Sequence, residues 1–400
     1  MRVDARVPGR ILPAIVVSQF AGTSLWFAGN AILPDLEREL GLGGGAVGSM
    51  TSAVQLGFIA GTLLFAVANV SDRYSPRKVF LGCALLGAMA NAAVILAPAT
   101  GAPYATVLAC RFATGLFLAG IYPVGMKIAA SWYRTGLGGA LGWLVGALVL
   151  GTAFPHLLKG SGQALSWPAV LAALSIVAAA GGLLMYVLVP DGPHLAKGGR
   201  FDPRALYSIF SSRGLRASAG GYFGHMWELY TLWALAPLMV AGYAQLHSAE
   251  LNVGLWSFAI IAAGAVGCVG GGIVSRTLGS APVALGQLSL SGLCCLLSPL
   301  AYLLPVPGFF AFMVFWGIVV VGDSPQFSAL TAATAPRELV GSALTIVNCI
   351  GFAISIVSIQ LLNHAAAAAM PAHYLFLLLV PGPLLGLWSL RPLLAGEPRS

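Results

Sequence analysis

The stretch AVGSMTSAVQLGFIAGTLLFAVANVSDRYSPRKVFLGCALLGAMANAAVILAP, residues 46–98, decides the fold. It consists of two long apolar runs separated by a short loop that carries most of its charge, residues 71–78. Each run has about the 20 residues that an α-helix needs to cross the roughly 30 Å hydrocarbon core of a bilayer. The stretch therefore predicts two membrane-spanning helices joined by a short basic turn.

The rest of the chain repeats this pattern. Apolar residues make up 58% of the sequence and charged residues 8%, whereas a soluble protein has about 25% charged residues. Backbone polar groups must be paired within lipid, so each span should be a helix. We predict an all-α membrane protein with twelve transmembrane helices, near residues 11–33, 46–68, 79–98, 104–128, 137–158, 168–190, 217–242, 251–275, 282–304, 308–331, 340–362 and 372–391.

Positive charge is unevenly divided between the two sides of these spans. The outer loops hold only Arg38 and Lys159, Arg111 lies within a span, and the other 17 of the 20 Lys and Arg residues fall on one side. This asymmetry predicts a multi-pass protein of a bacterial inner (plasma) membrane with both termini in the cytoplasm. The net charge of +8 suits the anionic cytoplasmic leaflet and does not indicate nucleic-acid binding.

The chain divides into two similar halves. A long basic connection predicts a six-helix bundle over residues 1–190, a cytoplasmic linker over 191–216 and a second bundle over 217–400. A shift of 202 residues superposes Gly115 on Gly317, Gly120 on Gly322 and Pro123 on Pro325. Repeated halves are typical of transporters, whose sites lie at the interface between the repeats.

Two motifs resemble the major facilitator superfamily. The loop Ser71-Asp72-Arg73-Tyr74-Ser75-Pro76-Arg77-Lys78 has the Asp-Arg pair and basic cluster of the family's loop motif, with Ala68 and Ser75 where the family has glycine. Leu108, Arg111, Gly115, Ala119 and Gly120 are similar to its fourth-helix motif. The resemblance implies two six-helix bundles with pseudo-two-fold symmetry, a monomer, and a cavity lined by helices 1, 4, 7 and 10.

The same resemblance implies an inner gate formed by Asp72, Arg73, Arg77 and Arg134. The Asp72 carboxylate would lie near Arg77 and Arg134 and hold the bundles together while the cavity faces outward. The alternative is a solvated loop with ordinary anchoring charges.

A second, more distant resemblance concerns the nitrate/nitrite porters. Residues 344–351 and the general look of helices 10 and 11 are similar to that branch. Those porters hold the anion with arginines in helices 2 and 8. The predicted helix 2 has none, and helix 8 reaches only Arg276 at its inner end. We therefore do not expect nitrate as the substrate.

Arg111 lies about 10 Å below the outer edge of its span, at 1.5 Å per residue. A charge at that depth is costly and should face a wet cavity or a partner. We expect it to attract a carboxylate or another anionic group. The alternative is an arginine that extends towards the membrane interface.

The run Gly224-His225-Met226-Trp227-Glu228 places two titratable groups on one helix face, because His225 and Glu228 are three residues apart. Glu228 falls near the midplane and is the predicted proton carrier, with His225 as its relay. A structural hydrogen-bonded pair is the alternative. No metal-ligand spacing occurs, so we predict neither a metal site nor a cofactor.

Three further residues complete the predicted pathway. Asp323 either joins the cavity or, with Ser324, caps a helix broken before Pro325. Trp26 and Tyr122 belong to cavity-lining helices by the resemblance, and either could serve packing instead.

These features predict a secondary active transporter that moves a small solute across the bilayer, and not an enzyme, because no nucleophile–base set is present. An acidic group and an arginine in one cavity favour proton-coupled symport of an organic anion. The alternative is proton-coupled efflux of a lipophilic or cationic compound.

Overall fold

The computed structural model describes residues 7–42, 45–133, 137–161, 165–195 and 201–394, without the side chains of residues 71, 72, 137 and 138. In this part of the chain twelve helices are long and apolar enough to cross a membrane. We name them α1 to α12: Ile11–Leu40, Ala46–Val67, Pro76–Ala99, Pro103–Trp132, Gly139–Gly160, Trp167–Leu188, Arg213–His247, Val253–Leu278, Ser280–Ala301, Val306–Thr334, Arg337–Ala367 and Ala372–Leu394. The prediction of twelve spans is confirmed.

Three of these helices are broken near their middles. The α-helical segments are Ile11–Thr23 and Ala28–Leu40 in α1, Pro103–Leu118 and Tyr122–Trp132 in α4, and Val306–Val319 and Ser324–Thr334 in α10. In α4 and α10 the second residue of the second segment is a proline, Pro123 or Pro325, which lacks a backbone N–H and so cannot continue the preceding helix.

Shorter elements complete the chain. Helices Val70–Arg73 and Arg204–Ser211 lie in loops. Three 3₁₀ segments lie within the long helices. In α3, Val94–Ala99 follows the α-helical segment Pro76–Ala93, and in α11, Arg337–Leu339 precedes Val340–Ala367. In α12, Phe376–Leu379 lies between Ala372–Leu375 and Pro381–Leu394.

The two halves pack their broken helices in the same way. In the first half a Cβ on Gly115 would lie 1.9 Å from the carbonyl oxygen of Val54, and in the second half a Cβ on Gly317 would lie 1.9 Å from that of Ile260. Only glycine permits α4 to approach α2, and α10 to approach α8, so closely. The internal repeat is thus visible in the packing, as expected for two six-helix bundles with pseudo-two-fold symmetry.

The bundles meet along two pairs of helices, α5 with α8 and α2 with α11. We call the side of the molecule that carries helix Arg204–Ser211 the linker face, and the other side the opposite face. Three hydrogen bonds join the bundles at the opposite face. Gln360 Nε2 donates to Ser52 Oγ at 2.9 Å, and Asn363 Nδ2 donates to the Gly45 oxygen at 3.4 Å. The third bond runs from Asn252 Nδ2 to the Gly160 oxygen at 2.8 Å. The two bundles are therefore in contact at the opposite face.

Candidate functional site

Glu228 lies inside the second bundle, on α7, with no exposed surface. Its Oε2 atom accepts a hydrogen bond from Ser291 Oγ at 2.8 Å and one from Cys295 Sγ at 3.2 Å, both on α9. Its Oε1 atom has no hydrogen-bond partner in the described part of the chain. A carboxyl group in apolar surroundings with donors on only one oxygen is costly as a carboxylate, which makes it a suitable place for a proton.

His225 lies one turn before Glu228 and pairs with Asp323 of α10. Its Nδ1 atom is 2.8 Å from Oδ1 of Asp323, and both side chains are fully buried. The His225 ring lies 5.9 Å from the ring of Tyr222 and 5.8 Å from that of Phe327. The structure therefore brings two of the predicted proton-pathway residues into direct contact, with Glu228 on the same helix nearby.

Asp323 occupies the break of α10 at the N-cap position of segment Ser324–Thr334. Its side chain makes no capping hydrogen bond there and lies instead against His225. The sequence left open whether Asp323 caps this helix or joins the cavity; its side chain makes no capping bond, and it lies against His225 and outside the lining of the central cavity described below.

A narrow central cavity lies between the bundles, beside these ionisable residues. Its volume is about 20 Å³, which leaves room for about one water molecule, so the two walls nearly touch. Both halves contribute to the lining, which consists of Tyr122, Val145, Leu148, Tyr222, Met226, Leu229, Tyr230, Trp233, Val321, Ser324, Ser328, Asn348 and Phe352. None of these residues carries a formal charge. The predicted residue Tyr122 is among them, and Tyr222 touches both the cavity and His225.

Trp26 lies in the break of α1, where aromatic rings of both bundles meet. Its ring is 4.9 Å from that of Phe58, 5.7 Å from that of Tyr230 and 5.6 Å from that of Phe352. Both Tyr230 and Phe352 line the cavity. Trp26 is thus part of an aromatic layer, formed by rings of both bundles, beside the cavity.

Arg111 is enclosed in the first bundle, with 1% of its surface exposed. Its Nη2 atom donates to the backbone oxygens of Leu25 at 2.9 Å and Trp26 at 2.6 Å, in the break of α1. Its Nη1 atom donates to Asn91 Oδ1 at 2.9 Å. Arg111 thereby supplies donors to carbonyl groups that the broken helix leaves free. It is outside the cavity lining described above, and in the described part of the chain no carboxylate pairs with it.

A sequence model of the Major Facilitator Superfamily matches residues 15–359. The chain belongs to the major facilitator superfamily. A search of curated protein sequences finds no match.

Solved structures share the fold across nearly the whole chain. The proton:xylose symporter XylE matches with a TM-score of 0.75 and 12% identity, over 97% of this chain and 96% of that one. A bacterial homologue of the human lysosomal transporter Spinster, in an inward-facing and unoccupied conformation, matches with a TM-score of 0.71 and 12% identity, over 98% of each chain. The human organic anion transporter MFSD10 matches with a TM-score of 0.69 and 16% identity, over 96% of this chain and 100% of that one. The chain is therefore a multi-pass membrane protein with a transporter fold, and not an enzyme.

The family's inner-gate motif is only partly described. The Asp72 side chain and Arg134 lie outside the described residues, so the gate stays a prediction. Arg73 is exposed. Arg77 donates from Nη1 to the backbone oxygen of Tyr186 at 3.3 Å, and its guanidinium carbon lies 5.2 Å from the centre of the Tyr186 ring. These contacts join the start of α3 to the end of α6.

Sequence reasoning missed three polar partners of the buried ionisable groups, namely Asn91, Ser291 and Cys295. Asn91 also donates to the Leu171 oxygen and to Ser175 Oγ, which links α3 to α6. An asparagine in an otherwise apolar span was the available signal for Asn91. Serine and cysteine in a membrane helix are too common to be singled out. Among the described residues, no group of three His, Cys, Asp or Glu residues could hold a metal ion.

Proposed function

We propose that this member of the major facilitator superfamily is a proton-coupled symporter of a small organic anion and that it works by alternating access. The observation that carries the proposal is the ionisable cluster of His225, Asp323 and Glu228, buried in the second bundle beside the central cavity. Ionisable residues are costly to bury within a membrane, and in transporters they commonly mark ion pathways.

Protons would reach this cluster from the cavity by way of Tyr222 and His225. The Tyr222 ring lies against the His225 ring, and His225 Nδ1 lies against the Asp323 carboxylate. The second ring nitrogen of His225, Nε2, has no hydrogen-bond partner in the described part of the chain, and histidine is a common proton shuttle in proteins. Glu228 would then hold the transported proton while the bundles rock.

Arg111 supports the proposal that the substrate is an anion. Its positive charge is buried and not paired with a carboxylate, and it lies behind the α1 backbone at Trp26, a residue of the aromatic layer. In surroundings of low dielectric constant such a charge attracts an anion in the cavity without touching it. A proton on the second bundle would balance the charge of the anion. The fold similarity to an organic anion transporter is consistent with an anionic substrate, and the similarity to a proton:xylose symporter is consistent with proton coupling.

Efflux of a lipophilic or cationic compound is the second candidate. The observation that favours it is the cavity lining, which combines Tyr230, Trp233 and Phe352 with aliphatic side chains. Such a surface can bind an apolar compound or stack against an organic cation.

The charge asymmetry of the chain supports a bacterial inner membrane location, with the linker face and both termini in the cytoplasm. The opposite face would then be the outer one. The family resemblance supports a monomer.

Transport into proteoliposomes tests the proposal. Purified protein is reconstituted, an inwardly directed proton gradient is imposed, and the uptake of radiolabelled small carboxylates is compared with that of protein-free liposomes, because weak acids also cross lipid unaided. We expect uptake that follows the gradient and is abolished by Glu228→Gln. The matched control is Glu250→Gln, a change in the loop between α7 and α8, away from the cluster.

Two outcomes would contradict the proposal. If Glu228→Gln transports with an unchanged dependence on pH, Glu228 is not the coupling site. If the protein moves lipophilic cations outward and no carboxylate inward, the efflux function is correct.

A further inference from the structure

The residues that line the central cavity are uncharged, and this restricts how the cavity can bind an anionic substrate. A charged substrate is often held by a side chain of opposite charge, but no lining residue is charged. The anion must then be held by neutral hydrogen-bond donors, and the remainder of the substrate must suit the aromatic walls.

Two donors are available at the cavity. Trp233 is fully buried, lines the cavity, and its indole Nε1–H has no partner in the described part of the chain. An indole N–H can only donate. The hydroxyl of Tyr222 donates to Asn348 Oδ1 at 2.7 Å, so the acceptor atom of this amide is occupied. Asn348 also lines the cavity, and its two N–H groups are further potential donors there. The Trp233 indole N–H and the Asn348 amide N–H groups each need a hydrogen-bond acceptor, which a carboxylate supplies.

The walls next to these donors are flat aromatic rings. The Tyr230 ring packs edge-on against that of Trp233 with centres 5.4 Å apart, and lies 5.0 Å from the Phe352 ring. Aromatic rings pack favourably in offset or edge-to-face pairs, and these walls offer such contacts to an aromatic ligand. In this conformation the cavity has room for about one water molecule, so a ligand can bind only after the walls move apart, and a flat ring requires the smallest separation.

We propose that the transported anion is a monocarboxylate with a single aromatic ring, held by the Trp233 Nε1–H and the Asn348 amide while its ring packs among Tyr230 and Phe352. This inference rests on the proposed function, since it names the class of the co-transported anion. It also places the carboxylate on the side of the cavity that contains Tyr222, next to the His225–Asp323 pair that would exchange the proton.

Binding of three probes to the full chain in nanodiscs, measured by isothermal titration calorimetry, tests the inference without any transport step. The probes are benzoate, cyclohexanecarboxylate and benzamide. Benzoate and cyclohexanecarboxylate differ in the flat aromatic ring, whereas benzoate and benzamide differ in the negative charge. We expect benzoate to bind about tenfold or more tightly than either of the others, because hydrogen bonds to charged groups and aromatic packing both contribute.

The decisive variant is Trp233→Phe, which keeps a ring and removes the N–H. We expect it to weaken benzoate binding about tenfold or more and benzamide binding by much less, because a hydrogen bond to a neutral acceptor is weaker. The ratio of the two affinities remains informative even if the variant is less stable. Trp316→Phe is the matched control, because Trp316 is equally buried, lacks an Nε1 partner in the described part of the chain, and is outside the cavity lining.

Equal affinities for benzoate and cyclohexanecarboxylate would overturn the inference, as would equal losses in the two tryptophan variants. Neither result touches proton coupling, which is decided separately by the response of Glu228→Gln to the pH gradient. Gradient-driven uptake of aliphatic carboxylates alone would therefore refute the aromatic substrate and leave the proposed function standing.

Discussion

At the scale of single residues, Arg111 shows how one buried charge can hold a helix in a broken conformation. The break of α1 leaves the Leu25 and Trp26 carbonyl groups without helical donors, and both accept from the same guanidinium nitrogen. Asn91 accepts from the other terminal nitrogen of the guanidinium and also joins α3 to α6. One side chain therefore fixes the position of α1 relative to α3 and α4.

Arg111→Met should destabilise the protein substantially. Three buried acceptors lose a donor, and leaving one such group unpaired costs about 1–3 kcal/mol, so we expect a loss of at least about 2 kcal/mol. Thermal unfolding of the purified protein in detergent measures the change. The control is Arg38→Met, which removes an exposed ion pair with Asp35. Arg38 has 77% of its side-chain surface exposed, so that change should cost about 1 kcal/mol or less. Equal effects would refute the role of Arg111 in the break.

The sequence predicted that Arg111, His225, Glu228 and Asp323 matter, because ionisable groups within a membrane are rare and costly. It could not predict their partners. The break of α1 contains Ser24-Leu25-Trp26-Phe27, with neither proline nor glycine to signal it, so nothing indicated that two free carbonyl groups would face Arg111. The contact between His225 and Asp323 depends on the packing of α7 against α10, and the local sequence does not show that packing.

At the scale of helices, spans were predictable because their lengths follow from the thickness of the bilayer. The α7 helix, Arg213–His247, extends beyond the predicted 217–242 at both ends, because a helix continues past the lipid wherever its neighbours still pack against it. The breaks of α4 and α10 coincide with Pro123 and Pro325, the matched prolines of the repeat.

Gly317→Ala tests the close packing between α10 and α8. The new Cβ would lie 1.9 Å from the Ile260 oxygen, so the helices must move apart. Overpacking of this kind costs about 1–3 kcal/mol, and the melting temperature should fall accordingly. Gly270→Ala is the control, because a Cβ there meets nothing within 4 Å and alanine is the better helix former. A neutral or stabilising Gly317→Ala would show that the two helices have room to separate.

Acid should loosen the linker helix Arg204–Ser211 specifically. Hydrogen bonds from the side chain and the backbone N–H of Arg204 lower the pKa of Asp202 below its usual 3.8. A lowered pKa means that the stabilisation is fully present above pH 3.8 and is lost as the pH falls through the lowered value. Hydrogen exchange of this helix, corrected for the intrinsic rate, should be constant from about pH 7 to pH 5 and should increase below about pH 4.

Asp202→Asn provides the control for that measurement. Asparagine cannot be ionised, so the variant should exchange a few-fold faster at neutral pH and should lose the acid-dependent increase. The effect should be small, because Asp202 and Arg204 pair at the surface. An acid-dependent increase of the same size in the variant would assign the effect to another group.

At the scale of the whole molecule, polar contacts hold the bundles together at the opposite face and aromatic rings hold them together deeper inside. The three hydrogen bonds at that face involve neutral groups only, namely amide side chains that donate to a hydroxyl and to backbone oxygens. Neutral hydrogen bonds contribute about 0.5–1.5 kcal/mol each, which a transporter can break and remake in every cycle. Fully ionic contacts buried at the same place would be far harder to separate.

Covalent closure of this face should therefore stop transport. The end of the Gln360 side chain reaches Ser52 across the bundle interface, so Ser52→Cys with Gln360→Cys places two thiols within reach of a short cross-linker. A bis-methanethiosulfonate reagent should join the pair through two disulfides and abolish transport in proteoliposomes, and a reducing agent should restore it. Each single variant and the parent protein, treated with the same reagent, serve as controls, because the native cysteines are free and lie within the spans. Alternating access requires α2 and α11 to separate at this face when the cavity opens to that side. Full transport by the cross-linked protein would mean that the substrate crosses without such a separation.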